Sequence, residues 1–549
     1  MTLRASLRVL LSLVLCWFLL PAQSSKVATG RTIMVAAHPM AAQAGVDVYK
    51  KGGNVVDAAV ATAYALGVVE PHGSGIGGEG MMLIYLAKQN LFTVIDFKAI
   101  APAAASYENL DFTKPSAWAR TIRGASVPGA VAGLEMAREK YGRLDRTTVL
   151  QPAVDFALKG FEVDSSLASN LEYYRATLQK DPYARATYYP DGNVPPPGTI
   201  LKNPNYGRSL QEIQKNGAAA FYTGQIADLI AADAKKNGGY FSKGDLAAYK
   251  SIERQPLRGT YRGWEIVTTP PPCGGMHLLE TLQMLRFFDL KEGRAQQGYD
   301  AHLLAEAFRL MFKDEITHNG DPEFSPIPSD VVSSPAYGFE RFRLIGLAKA
   351  GDSAAITAGN PKGQSTTQLC VMDGEGNAVS LTITLSSLFG TAHTVEGAGF
   401  ILNNEMQNYN ADPKHPNALA PHKRVVTSLV PTLLLQNGKP VVAVGTPGGD
   451  LILSTVSQVI VNVIDHHMSL QDAVFAPRIF STFYQQEVEI EPGFAPSTYE
   501  LLRSLGHTLD ISPRMRAYFG AVQAIHRDPE TGVLTGVSDP RRSGEPRGE

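Results

Sequence analysis

The chain has 549 residues, enough for a large core, with 44% hydrophobic and 19% charged residues. Lys and Arg total 50 against 52 Asp and Glu, a formal charge of -2. No basic surplus points to nucleic acid and no acidic surplus to a solvating tail, so the balance is that of a compact soluble enzyme.

Arg4 and Arg8 precede an apolar run from Val9 to Leu20, and Pro21-Ala22-Gln23-Ser24-Ser25 supplies small residues for cleavage. The pattern predicts a signal peptide over 1–24 and a secreted or periplasmic protein with no membrane attachment once it is removed. Cys273 and Cys370 then remain, which is no disulfide framework, so stability has to come from the core.

From Ala36 to Pro71 the pattern is helical, broken by a stop and restart at Lys51-Gly52-Gly53-Asn54. Gly73-Ser74-Gly75-Ile76-Gly77-Gly78-Glu79-Gly80 follows, then a strand-like run from Met81 to Leu86. The glycines match G-x-G-x-x-G formally, but a dinucleotide site needs strand, loop, helix, and here the order is helix, loop, strand. The run is read as a loop where backbone approaches another backbone or a ligand closely.

Helical stretches are expected over Ala130–Tyr141, Val149–Lys159, Gly224–Asn237, His277–Phe288 and Ala301–His318. Beyond Gly363 strands dominate, at 366–373, 377–385, 399–402, 430–436 and 440–445, followed by a helix from about Leu451 to Met468. Helices and strands come in blocks without a βαβ rhythm, which favours α+β or a layered sandwich. The polar end, Arg541–Glu549, is expected to be loosely held. No H-E-x-x-H or cysteine cluster offers metal ligands, His38, His72, His277 and His466-His467 read as structural, and no metal or cofactor is expected.

The run from Ser365-Thr366-Thr367 to Asp373 and from Asn377 to Thr384 reads as a β-hairpin turning at Asp-Gly-Glu-Gly-Asn. A cut before Thr366 would give that residue a free amine beside its own hydroxyl. An α-amine titrates near pH 8, so one residue would hold nucleophile and base.

Several segments, in order, resemble the γ-glutamyltransferase family: Gly52-Gly53-Asn54-Val55-Val56-Asp57-Ala58-Ala59, Gly73–Gly78, Val127-Pro128-Gly129, Pro270–Gly275, Gly320-Asp321-Pro322, Thr366-Thr367, Asn403-Asn404-Glu405-Met406, Gly445-Thr446-Pro447-Gly448-Gly449 and Ser538-Asp539-Pro540-Arg541. The resemblance implies a four-layer αββα sandwich of the N-terminal nucleophile hydrolase type. It also implies self-cleavage between Ser365 and Thr366, giving a large subunit over 25–365 and a small one over 366–549. Catalysis would use Thr366 as nucleophile, Thr384 to orient it, and the amides of Gly448 and Gly449 as oxyanion donors. Lys98, Thr427 and Ser428 match positions that hold the substrate α-carboxylate, and Glu405 one that meets the α-amine. Asn408 replaces one acid of the usual pair, and Ser386 stands where an asparagine commonly assists.

The implied substrates are γ-glutamyl amides such as glutathione, with water, an amine or a dipeptide taking the acyl group. Lys98 in place of the family's arginine cannot grip a carboxylate bidentately. Together with Asn408 this leaves an alternative, an acylase for glutaryl-like groups similar to the cephalosporin acylases, and beyond it a catalytically silent paralogue. The loop between Glu405 and Thr427 is shorter than in lidded members, so an open cleft is expected.

Overall fold

The computed structural model describes residues 25–290, 297–351 and 365–549, so the leader expected over 1–24 lies outside the described residues. The hairpin forms where alternation and turn chemistry place it, with strands Ser365–Met372 and Ala378–Ser386 joined through Asp373–Asn377. Asp373 closes the turn by accepting the Asn377 amide at 3.0 Å.

That hairpin is the centre of a seven-stranded sheet in the order Glu545–Gly548, Ile33–Ala36, Ser365–Met372, Ala378–Ser386, Glu79–Leu86, Leu91–Phe97, Ile252–Arg254. A second seven-stranded sheet runs Val27–Gly30, Leu534–Ser538, Gln523–Arg527, Lys439–Gly445, Thr432–Gln436, Trp264–Thr268, Leu257–Tyr261. Neighbouring strands pair antiparallel in both sheets.

Strand periodicity builds the layers, because successive side chains point to opposite faces. On one face of the first sheet, Met34, Ala36, Met82, Ile84, Leu369 and Val371 pack on helices Pro39–Lys50, Val55–Val69, Arg146–Lys159 and Pro204–Asn216. On the other face, Ile33, Val35, Met81, Leu83, Cys370 and Met372 share a core with Leu433, Val442 and Val444 of the second sheet. Helices Gly275–Leu285, Tyr299–His318 and Leu451–Ile464 complete that core. The architecture is the expected αββα sandwich, an α+β fold. Helix Val55–Val69 is buried along its whole length, in keeping with its apolar residues on every face and only Asp57 and Thr62 polar, and starts on a capping box between Asn54 and Asp57.

The glycine run does what close approach demands. A Cβ on Gly77 would stand 2.1 Å from the Ile401 carbonyl oxygen, and one on Gly78 2.3 Å from that of Thr384. Two expectations fail. Residues 399–402 form no strand, only a single bridge from Ile401 to Thr394. The polar end is not loose either: Glu545–Gly548 is an edge strand paired with Ile33–Ala36. Arg541 just before it is buried against Glu491 and Asp539. Cys273 and Cys370 are free and buried. Among the described residues no helix is long and apolar enough to cross a membrane.

Candidate active site

Thr366 sits at an irregularity in the hairpin. Ser365 pairs with Ser386 but Thr367 with Ile383, so Thr384 and Leu385 together oppose Thr366. A bulge of this kind re-aims side chains, and here it sets the two threonine hydroxyls together. Thr366 Oγ1 donates to Thr384 Oγ1 at 3.2 Å, and Thr384 Oγ1 also accepts the Ser386 amide at 2.8 Å. Ser386 closes the strand at φ 75°, a left-handed conformation that a non-glycine residue adopts only when its surroundings enforce it.

Thr366, Thr384, Ser386, Glu405, Asn408, Thr427, Ser428 and Gly449 all line one cavity of about 30 Å³. It adjoins a wider cleft of about 600 Å³, and Asn408, Val426 and Asp450 border both. Most of the residues expected at the site therefore converge, although they come from segments far apart in the chain.

Two of them stand back. Lys98 is fully buried behind the wall, bonded to Glu79 and donating to Thr427 Oγ1 at 2.7 Å, so it meets the cavity through that hydroxyl and through its charge on Glu405. Glu79 in turn accepts the Ala99 amide at 2.6 Å. Burial works to lower the Lys98 pKa, and the Glu79 and Glu405 carboxylates outweigh it and hold it up. Burial, then the charge of Glu405, pushes the Glu79 carboxyl well above its usual range. Gly448 lies one residue behind the cavity-lining Gly449, and the two take φ values of 147° and 59°. Neither amide donates to an acceptor among the described residues. Both stand at the start of helix Leu451–Ile464, whose dipole adds positive potential there.

The acceptors on the opposite wall are unfilled. Asn408 Nδ2 donates to Ser386 Oγ at 3.0 Å and to Glu405 Oε2 at 2.7 Å. That carboxylate contact fixes the amide orientation, because the flipped amide would oppose two oxygens. Glu405 Oε1 and Asn408 Oδ1 are left buried without a donor among the described residues. Ser428 Oγ, by contrast, is engaged, donating to Glu315 Oε1 at 2.7 Å.

Sequence reasoning missed the support behind Thr366. Arg542 Nη1 donates to the Thr366 carbonyl at 2.9 Å and lies 3.5 Å from Glu70 Oε1, while Glu70 Oε2 accepts the Thr367 hydroxyl. Burial raises the Glu70 carboxyl to about 7, against the opposing pull of Arg542 and the Thr367 bond. Glu79, Glu315 and Asp450 were missed as well. Asp450 borders the cavity and accepts from Tyr484 Oη at 3.2 Å. The group of His302, Glu306 and His507, whose ligand atoms are close enough to share a metal ion, lines neither cavity nor cleft.

A family model described as Gamma-glutamyltranspeptidase matches residues 41–548. The glutathione hydrolase proenzyme of Escherichia coli K12 is 37% identical, with 91% of this chain and 89% of the relative covered. An acylase ACY 1 proenzyme of Pseudomonas sp. V22 is 36% identical, with 95% and 94% covered. Among solved structures, a cephalosporin acylase from Bacillus halodurans superposes with a TM-score of 0.86 at 30% identity, covering 96% of this chain and 98% of its own. The Helicobacter pylori gamma-glutamyltranspeptidase gives 0.56 at 32% identity, covering 61% and 97%.

Proposed function

Since the chain belongs to the gamma-glutamyltranspeptidase family of proenzyme hydrolases, we propose that it cleaves itself between Ser365 and Thr366 and then hydrolyses or transfers γ-glutamyl groups from glutathione-like amides. The cut yields subunits 25–365 and 366–549, and the leader over 1–24 directs the protein out of the cytoplasm. In the first step Thr366 Oγ1 attacks the Ser365 carbonyl, the acyl group moves from nitrogen to oxygen, and water hydrolyses the ester. The freed α-amine then takes the Thr366 hydroxyl proton as Oγ1 attacks the substrate amide. The Gly448 and Gly449 amides hold the oxyanion, and the amine proton leaves with the departing amine. Water or an amine acceptor attacks the acyl-threonine ester and restores the hydroxyl.

The observation that carries the choice of acyl group is the pair of unfilled acceptors, Glu405 Oε1 and Asn408 Oδ1, buried on the wall of the cavity that holds Thr366. The α-ammonium of a glutamyl group can donate to both acceptors and opposes the Glu405 charge. The cavity shares Asn408, Val426 and Asp450 with a cleft of about 600 Å³, which offers room for the amide that carries the acyl group.

A second reading, an acylase for glutaryl-like groups, is favoured by Lys98 being held behind Thr427 instead of in the cavity. Turnover of γ-glutamyl and glutaryl anilides by the purified protein separates the two, and a clear glutaryl preference sinks the first. On a denaturing gel the wild type splits in two with Thr366 at the new N-terminus, and Thr366→Ala neither splits nor turns over. A single intact band from active wild type would refute the nucleophile assignment.

A further inference from the structure

His302 and Glu306 lie one turn apart on helix Tyr299–His318, facing the core, and His507 meets them just before strand Thr508–Ile511. The three side chains are 0%, 4% and 5% exposed, and their ligand atoms lie within 4.8 Å of one another. His302 Nε2 is 2.7 Å from the Gly346 carbonyl oxygen, which can only accept, so this nitrogen carries the proton. His302 Nδ1 is therefore a lone pair, and it points at His507 Nε2, 2.7 Å away. Glu306 Oε2 accepts the Gly351 amide at 3.0 Å. Its Oε1 is buried without a hydrogen-bond donor, with Arg309 Nη1 3.7 Å away, and His507 Nδ1 also has no partner among the described residues.

We propose that His302 Nδ1, His507 Nε2 and the Glu306 carboxylate form a site for a divalent transition-metal ion, zinc foremost. Two imidazoles and one carboxylate suit zinc, whereas calcium and magnesium take oxygen ligands. The carbonyl of Gly346 and the amide of Gly351 act as the outer groups that fix tautomer and carboxylate orientation at such sites. A metal at about 2.0–2.1 Å from each nitrogen in tetrahedral geometry puts the nitrogens about 3.3 Å apart. The nitrogens thus have to part by roughly 0.6 Å from their present contact, and both rings have to turn so that their lone pairs converge on one point.

The ion would be structural, since none of its ligands lines the cavity or the cleft. His302 and Glu306 precede Thr366 and His507 follows it, so the ion would clamp the two halves of the chain. Backbone contact runs the same way, with the Ala350 amide donating to the Leu505 carbonyl at 2.6 Å. Only this clamping role rests on the proposed cleavage; the site is the same in cut and uncut chains.

The test strips the purified protein with a chelator, dialyses it against zinc alone and measures bound metal. The wild type should retain about one zinc per chain, and His507→Ala and Glu306→Gln at least about tenfold less. Retention below about a tenth of an equivalent by wild type, or equal retention by folded variants, overturns the proposal. If the variants do not fold, cobalt added to stripped wild type decides: a visible absorption band of low-coordinate cobalt supports the site, and its absence refutes it. Thr366→Ala should bind zinc like wild type, so the result stands apart from whether the chain cuts itself.

Discussion

At the scale of single residues, Glu405 sets the character of the pocket, because it lines the cavity with its Oε1 lacking a hydrogen-bond donor among the described residues while Lys98 donates to Glu79 and Thr427 and reaches Glu405 only through its charge. Glu405→Gln keeps the shape and removes the charge. For a substrate with an α-ammonium the loss should be about 2 kcal/mol or more, roughly 30-fold in kcat/KM, expressed mainly in KM. A glutaryl substrate should lose nothing, so equal losses for both would remove Glu405 from ammonium recognition. Glu70 gives a pH signature. Its carboxyl is raised to about 7 by burial and sits near 4.5 when unfolded, so the folded protein binds the proton more tightly. Its contribution is complete below about 4.5 and disappears as pH rises through about 7, on the order of 3 kcal/mol in all. Glu70→Gln removes that slope and leaves a constant offset from the lost Glu70–Arg542 ion pair, Arg542 keeping its bond to the Thr366 carbonyl. Urea unfolding of both proteins between pH 5 and 8 should show the stability advantage of wild type shrinking as pH rises; parallel curves would contradict it.

At the scale of elements, the hairpin and the glycine run were legible because their signals are local. Alternation and an Asp-to-Asn turn specify the strands, and a dense run of glycines announces backbone approach. What was not legible is what the glycines touch. Gly78 abuts the Thr384 carbonyl, so it sets the height of the strand that holds the Thr384 hydroxyl against Thr366. Gly78→Ala places a Cβ 2.3 Å from that oxygen and must displace it. We expect a loss of about 1–3 kcal/mol in stability and a fall in kcat greater than any rise in KM. Unchanged kcat in a folded variant would detach the glycine run from the chemistry. The C-terminal strand escaped detection for a related reason. Arg541-Arg542 with Glu545 reads as solvated polarity, yet the charges are buried on Glu491, Asp539 and Glu70, partners that no local pattern records. Pro546 was the overlooked clue, since proline is tolerated on an edge strand.

At the scale of the whole molecule, the proposed cut at 365–366 falls inside a structure whose halves are interleaved. In the first sheet, Ile33–Ala36 from before the cut is held between Glu545–Gly548 and Ser365–Met372. In the second, Val27–Gly30 and Leu257–Tyr261 from before the cut form the two edges around strands mostly from after it. The core between the sheets also draws side chains from both halves, with Val35 and Leu83 against Val442 and Val444. Separating the products would unpair strands in both sheets and expose that core, which is the free-energy cost of unfolding the domain. Breaking one peptide bond adds only chain entropy in the unfolded state, a cost that grows slowly with loop length. The two chains should therefore elute as one particle on gel filtration and unfold in a single urea transition. That transition should be followed alike by circular dichroism and by dissociation of the chains. Release of the 366–549 chain at a lower urea concentration than loss of secondary structure would show that the interleaved sheets do not hold the cut enzyme together.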